Sequence, residues 1–151
     1  MVYLAEIKDS KHGVLSVTLL DVLKCLGNRG EELYWSIHYL YATGNLGKGK
    51  SILDLENQIN DSPTGMVISW KDLTKLAGKF DQVIDTVIVG NKSFKNVMKA
   101  NNDKDAYRKN DIVLDLFDGA YWRVSSQDKR IFKAFEEKFS EVEIKDVNEL
   151  A

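Results

Sequence analysis

The stretch Leu33–Ile59 constrains the fold most, because it predicts a strand, a glycine loop and a helix in immediate succession. The strand is Leu33–Tyr41, in which alternate positions give one face that is more apolar than the other. The loop Gly44–Ser51 matches the phosphate-loop pattern, in which spaced glycines precede a lysine and a hydroxyl side chain. This loop therefore has two interpretations, a nucleotide-binding loop or a glycine turn.

As a nucleotide-binding loop, the segment would hold phosphate with backbone N–H groups at the N-terminus of the following helix. Gly44 and Gly49 would let the backbone approach the anion, Lys50 would bind the phosphate and Ser51 would bind magnesium. We keep this interpretation as the alternative function of the chain.

As a glycine turn, the same segment only connects a strand to a helix. Ser36 and His38 interrupt the continuous apolar run that a buried parallel strand requires. The spacing of Ser51 and Asp54 predicts that Ser51 caps the helix, which leaves Lys50 outside it. We favour the turn.

The remaining elements predict a single domain of 151 residues. Strands are expected at 2–7, 66–69 (short and buried), 83–89, 112–117 and 120–124, and helices at 19–26, 52–59, 70–80 and, capped by Ser125–Asp128, around 131–139. Lys92–Lys109 is predicted as a frayed helix and loop with a solvated basic face, and 141–151 as a weakly structured end.

The dipeptide Asp118–Gly119 predicts a tight hairpin between the last two strands. A hairpin makes its strands antiparallel, whereas helices between other strands permit crossover connections. We therefore expect an α+β fold, a mixed and mainly antiparallel sheet that ends in a C-terminal hairpin, with helices packed on it.

Composition excludes several classes of function. The net charge is -2, whereas nucleic-acid and membrane-surface binding require clustered Lys and Arg, so neither partner is expected. No window reaches the roughly 18 apolar residues of a membrane span, and the first residues lack a signal-peptide core. We therefore expect a cytoplasmic protein. Cys25 is alone among apolar neighbours, which predicts a buried, unreactive thiol.

Catalytic and metal-binding patterns are missing from the sequence. His12 and His38 are the only histidines, and no His or Cys pair has the spacing of metal ligands. Asp115 and Asp118 are better explained as a strand residue that faces solvent and a turn residue than as a glycosidase pair. We therefore predict no enzyme activity, no metal and no cofactor.

The segments Glu31–Ile37, Ala42–Ser51 and Asp118–Ser125 resemble small bacterial proteins, some of which look like immunity proteins of contact-dependent inhibition and other polymorphic toxin systems. This resemblance implies a cytoplasmic inhibitor that binds a cognate toxin domain and blocks its active site. Tyr and Trp are frequent anchors of protein interfaces, and carboxylates can imitate phosphate. On that basis we predict contacts to the toxin, from expected exposure, at Tyr34, His38, Tyr41, Asp115 and Trp122. The oligomeric state stays open.

Overall fold

A computed structural model describes residues 2–98 and 109–146 of the chain. Its strands and helices, in chain order, are β1 (Tyr3–Ile7), β2 (Ser10–Lys11), β3 (Val14–Leu15), α1 (Leu19–Leu26), α2 (Asn28–Glu31), β4 (Tyr34–Gly44), α3 (Ile52–Asn60), β5 (Met66–Ile68), α4 (Trp70–Ala77), β6 (Phe80–Asn91), a 3₁₀ helix (Phe94–Val97), β7 (Ile112–Leu116), β8 (Trp122–Ser126), α5 (Arg130–Lys138) and β9 (Val142–Asp146).

Seven of these strands form one sheet in the order β5-β4-β6-β7-β8-β1-β9, and β2 with β3 forms a separate ribbon. All six pairings in the large sheet are antiparallel. The α+β prediction is therefore confirmed, although the described sheet is antiparallel throughout rather than mixed. The predicted hairpin is present around Asp118–Gly119, but β7 ends at Leu116 and β8 begins at Trp122, so its loop is longer than the tight turn predicted. The long strands β4 and β6 pair along most of their length.

The helices cover one face of the sheet, which we call the helix face. Trp35 of β4 is fully buried there, donates from Nε1 to the Gly30 carbonyl at 2.8 Å, and lies with its ring centroid 5.3 Å from that of Trp70. Helices α1, α4 and α5 present apolar stripes to the same core, whose buried members include Leu19, Val22, Leu23, Leu26, Leu73, Ala77, Ile131, Phe132 and Phe135.

Short side chains cap the starts of α1 and α3 as predicted. Thr18 forms a complete capping box with Asp21 at the start of α1. The Ser51 hydroxyl accepts from the Asp54 amide at 3.3 Å, so α3 begins after Ser51 and Lys50 lies outside it. Each cap satisfies an amide that has no partner within its own helix.

Helix α3 closes the edge of β4 that β5 is too short to cover. Asn60 of α3 accepts from the Leu40 amide and donates to the Leu40 carbonyl, both at 2.9 Å. The Glu56 carboxylate accepts from the Ala42 amide at 3.0 Å. Two side chains thus supply the hydrogen bonds that a neighbouring strand would otherwise make.

Three details of the predicted elements were wrong. Ser125 does not cap the last helix, because β8 runs on to Ser126 in its ladder with β7, and α5 begins only at Arg130. The end of the chain was predicted to be weakly structured, but Val142–Asp146 pairs with β1 as β9. Strand β5 is not buried, since Val67 is 42% exposed at the sheet edge.

Two predictions fall partly on residues that are not described. The segment Lys92–Lys109 was predicted as a frayed helix and loop, and its described start contains the 3₁₀ helix Phe94–Val97. Residues 99–108 lie outside the described residues, as do residues 147–151 of the predicted end.

Candidate protein-binding surface

The face of the sheet opposite the helix face, here called the outer face, combines charged pairs with aromatic side chains. In register across it lie Glu6, Arg123, Asp115 and Val87. Arg123 donates to both carboxylate oxygens of Asp115, at 2.8 and 3.2 Å. The Lys145 ammonium lies 2.9 Å from the Glu6 carboxylate. The middle of the outer face is therefore held together by ion pairs.

A bulge at His38 decides which residues of β4 reach the outer face. Ile37 pairs with Ile88, but the next paired residue is Tyr39, opposite Val87. One residue is thus inserted, which exchanges the faces on which alternate side chains lie. Trp35 and Ile37 point into the helix-face core, whereas Tyr39 and Tyr41 lie on the outer face.

Three of the five predicted contact residues are not exposed, so the exposure that their prediction assumed was wrong. His38 is 6% exposed, and its Nε2 lies 2.9 Å from the Val97 carbonyl. Asp115 is 8% exposed beside Arg123. Trp122 is 1% exposed and donates from Nε1 to the Val17 carbonyl at 2.8 Å. Each of them satisfies its polar group inside the protein, which explains its burial.

The other two predicted contact residues, Tyr34 and Tyr41, are 50% and 45% exposed. They lie near opposite ends of β4, roughly 20 Å apart along the strand. The five residues therefore do not form one site. The two tyrosines mark two separate places on the outer face.

Around Tyr41 the structure assembles a group that the sequence did not reveal, which we call the turn-end surface: Tyr39, Tyr41, Asp85, Phe117 and Asp118. The Tyr39 and Tyr41 rings meet edge to face, 5.3 Å between centroids. Asp85 lies opposite Tyr41 in the ladder of β4 and β6. Continuing the β6–β7 register by one residue places Phe117 opposite Asp85. Phe117 is 81% exposed.

The hairpin turn is anchored to β6, which fixes the backbone beside Phe117. Asp118 and Gly119 have φ values of 54° and 64°, as the predicted turn requires. The Asp118 amide donates to the Asp85 carboxylate at 2.6 Å, and the Gly119 amide donates to the Ile84 carbonyl at 2.8 Å. An exposed aromatic ring is therefore presented from a hydrogen-bonded turn.

The environment of Tyr39 favours the neutral form of its phenol. Partial burial, followed by the neighbouring Tyr41 and the Asp85 carboxylate, raises the pKa of Tyr39 above its ordinary value. A neutral phenol both donates and accepts hydrogen bonds. Beyond the turn, the Lys8 ammonium lies 5.3 Å from the centre of the Tyr121 ring. The turn-end surface thus joins aromatic rings to two carboxylates, with a cation at its margin.

Tyr34 belongs to a second, more apolar group. Its ring meets that of Phe94 edge to face at 5.7 Å, and Phe94 is 48% exposed. Beneath them the 3₁₀ helix packs Val97 against Val89 and Val113 in a small cluster on the outer face. Tyr34 therefore packs against the 3₁₀ helix through the ring of Phe94.

The glycine loop has the geometry of a turn. The Gly47 amide donates to the Asn45 side chain at 2.9 Å, and the Lys50 amide donates to the Gly47 carbonyl at 3.2 Å. Those two amides are thus used within the loop, whereas a phosphate loop aims its amides at the anion. Strand β4 pairs antiparallel with both neighbours, unlike the parallel strand of a phosphate-loop fold. These observations favour the turn.

A polar cleft of about 470 Å³ lies near the start of α5, lined by residues that include Arg29, Asp128 and Arg130. Two of its arginines are paired with Asp128: Arg130 Nε lies 2.9 Å from that carboxylate, and Arg29 Nε lies 3.6 Å from it. Hydrogen bonding from Arg130, supported by the Arg29 charge, lowers the pKa of Asp128. The central carboxylate of the cleft is therefore compensated internally.

Within residues 2–98 and 109–146, no three His, Cys, Asp or Glu side chains converge as a metal site would require. None of the helices in those ranges combines the length and apolar character needed to cross a membrane. Comparison of the chain with protein-family models, curated proteins and solved structures finds no match.

Proposed function

We propose that this protein acts without catalysis, by binding another protein through the turn-end surface. The supporting observation is the exposed Phe117 ring, carried on a turn that is hydrogen-bonded to β6 and separated from Tyr41 by a single strand position, Asp85. Aromatic side chains anchor interfaces because they bury a large area while losing little conformational entropy. A fixed turn further reduces the entropy lost on binding.

The chemistry of the turn-end surface selects a class of partner. Asp85 lies opposite Tyr41 in the ladder of β4 and β6, and the exposed Asp118 directly follows Phe117 in the chain, so the surface carries two acidic residues. A partner with basic groups around an apolar pocket would complement both features, and opposite charges accelerate association. Such basic groups are typical of sites that bind phosphate. The surface therefore suits a partner with a cationic, phosphate-binding active site.

The resemblance to immunity proteins narrows the proposal further. We propose that the partner is a cognate bacterial toxin domain and that the protein covers its active site in the cytoplasm. Under this proposal the inhibitor needs no metal, cofactor or catalytic group of its own. The turn-end surface supplies the contacts, and the ion-paired middle of the outer face supports it.

The direct test is co-expression with the toxin domain encoded by the open reading frame next to this gene. The wild-type chain should restore growth, and the purified proteins should form a stoichiometric complex in calorimetry. Phe117→Ala and Tyr41→Ala should each weaken that complex by about tenfold or more, as loss of a binding anchor does. Leu53→Ala is the matched control, because Leu53 is 63% exposed on α3, outside the turn-end surface.

Different failures contradict different parts of the proposal. A complex that forms normally with Phe117→Ala and Tyr41→Ala would reject the turn-end surface as the binding site. If the wild-type chain neither binds the neighbouring gene product nor protects cells from it, the toxin partner is rejected.

A further inference from the structure

Strand β9 forms one edge of the sheet, and none of the other described strands pairs with its outer side. Its inner side pairs with β1, with Glu6 opposite Glu143 and Leu4 opposite Lys145. Ile144 is 39% exposed at this edge. An edge strand with open backbone groups is a template for another strand.

The hydrogen-bond pattern shows which backbone groups of β9 point outward. The Lys8 amide donates to the Glu141 carbonyl at 2.8 Å, so residues 8 and 141 form a hydrogen-bonded pair. In an antiparallel ladder such pairs alternate, so Glu143 and Lys145 also direct their backbone groups toward β1. The amide and carbonyl of Ile144 therefore face away from β1, toward the open edge.

The sequence of β9 is complementary to itself in an antiparallel pairing. A two-fold axis at Ile144 places this residue opposite its own copy, where the two can exchange both backbone hydrogen bonds. The same axis places Glu143 of each copy opposite Lys145 of the other. These flanking positions are non-hydrogen-bonded pairs, in which side chains approach most closely and opposite charges attract.

Both charged side chains are already positioned on the outer face. The Lys145 ammonium lies 2.9 Å from Glu6, and the Lys8 ammonium lies 3.3 Å from Glu143. Pairing with a second copy would extend this row of alternating charges across the two-fold axis. Moving the axis by one residue in one direction would place Glu143 opposite a like charge, and moving it in the other direction would place an apolar residue opposite Glu143. The charges therefore favour the register centred on Ile144.

We propose that the β9 edge binds a second copy of this chain, forming a dimer in which two sheets join antiparallel about Ile144. Charge complementarity selects a second copy over an unrelated strand, because Glu143 and Lys145 match each other at equal distances from the centre. The contact is short, so we expect a reversible dimer that dissociates on dilution. It is separate from the turn-end surface.

Sedimentation velocity of the full chain over a concentration series measures this dimer directly. Ile144→Lys should shift the protein to monomer, because it places two like charges at the axis. Val67→Lys is the matched control at the opposite edge of the sheet, where Val67 is similarly exposed. Ile144→Pro should also abolish the dimer while preserving β9, since the amide it removes faces outward. Circular dichroism verifies folding of each variant.

A charge-exchange experiment tests the register. Glu143→Lys alone and Lys145→Glu alone each place like charges across the axis and should weaken self-association roughly tenfold. An equimolar mixture of the two variants restores opposite charges at both pairs, so a heterodimer should form more strongly than either homodimer. Phe117→Ala should leave the dimer unchanged.

The proposal is overturned if the wild-type chain stays monomeric up to the highest soluble concentration. It is equally overturned by a dimer that persists in both Ile144→Lys and Ile144→Pro. If the two charge variants associate no more strongly when mixed than each does alone, the two-fold pairing about Ile144 is rejected.

Discussion

The two faces of the sheet are built from different chemistry. The helix face buries apolar side chains under α1, α4 and α5, with Trp35 at 0% exposure. The outer face has ion pairs at its centre, such as Arg123 with Asp115, and exposed rings such as Phe117 at its margin. The helix face therefore supplies most of the folding free energy, whereas the outer face offers groups that another protein can recognise.

This comparison shows how one sheet can separate stability from recognition. Side chains on the helix face are surrounded, so any change there alters packing. On the outer face ion pairing satisfies a buried carboxylate such as Asp115 without a thick covering layer. Mutations on the two faces should therefore differ in how much they destabilise the fold and in whether they affect binding. The four predictions that follow test this difference.

The largest effect should come from Trp35→Ala on the helix face. It removes a fully buried ring, its contact with the Trp70 ring and its hydrogen bond to Gly30. We expect a loss of about 3–5 kcal/mol in the free energy of unfolding, measured by urea denaturation. A loss below about 1 kcal/mol would mean that the helix face is not the main source of stability.

A smaller effect is expected for Arg123→Met at the centre of the outer face. The change removes both donors to Asp115, a carboxylate that is only 8% exposed. We expect about 1–3 kcal/mol of destabilisation, since the carboxylate loses charged hydrogen bonds while staying buried. Asp115→Asn in the Arg123→Met background should recover part of this loss. If it recovers none, the ion pair does not explain the effect.

Acid should weaken the outer face through Glu6. Burial favours the neutral acid, but the hydrogen bond from Lys145 and the charge of Lys8 outweigh it and lower the pKa of Glu6. A lowered pKa adds stability above the pKa of the unfolded chain, and this stability is lost as pH falls through the folded value. Thermal unfolding between about pH 7 and pH 3 should therefore show a steeper acid loss in the wild type than in Glu6→Gln.

The smallest effect on stability should be that of Phe117→Ala. This ring is 81% exposed, so its removal should change the free energy of unfolding by less than about 0.5 kcal/mol. The same variant should weaken binding of the proposed partner. Large destabilisation by Phe117→Ala would mean that this end of the outer face is part of the fold rather than a recognition surface.

Local sequence signals predicted most of the fold correctly. Ser51 and Asp54 gave the start of α3, and Asp118–Gly119 gave the hairpin, because a cap or a turn depends on residues close together in the chain. Strand β9 was missed, because it is short and its partner β1 lies at the other end of the chain. Alternation in so short a segment is weak evidence for a strand.

The candidate site was predicted poorly for a physical reason. The alternation of Leu33–Tyr41 assigns all odd positions to one face, but the bulge at His38 transfers Tyr39 and Tyr41 to the other face. The position of Phe117 likewise depends on hydrogen bonds between the hairpin turn and β6. Neither a bulge nor a contact between distant turns leaves a clear signal in a single sequence.

The side chains of Asn60 and Glu56, which occupy the backbone groups of β4 beyond β5, also affect how copies of this chain could assemble. A sheet that can add strands at both edges can grow into a fibre, whereas one with a blocked edge cannot propagate. Pairing through β9 would use the same edge of both copies and so close on itself, and the edge left at each end is only the three-residue strand β5. Growth would then end at two subunits, giving a closed particle rather than a polymer.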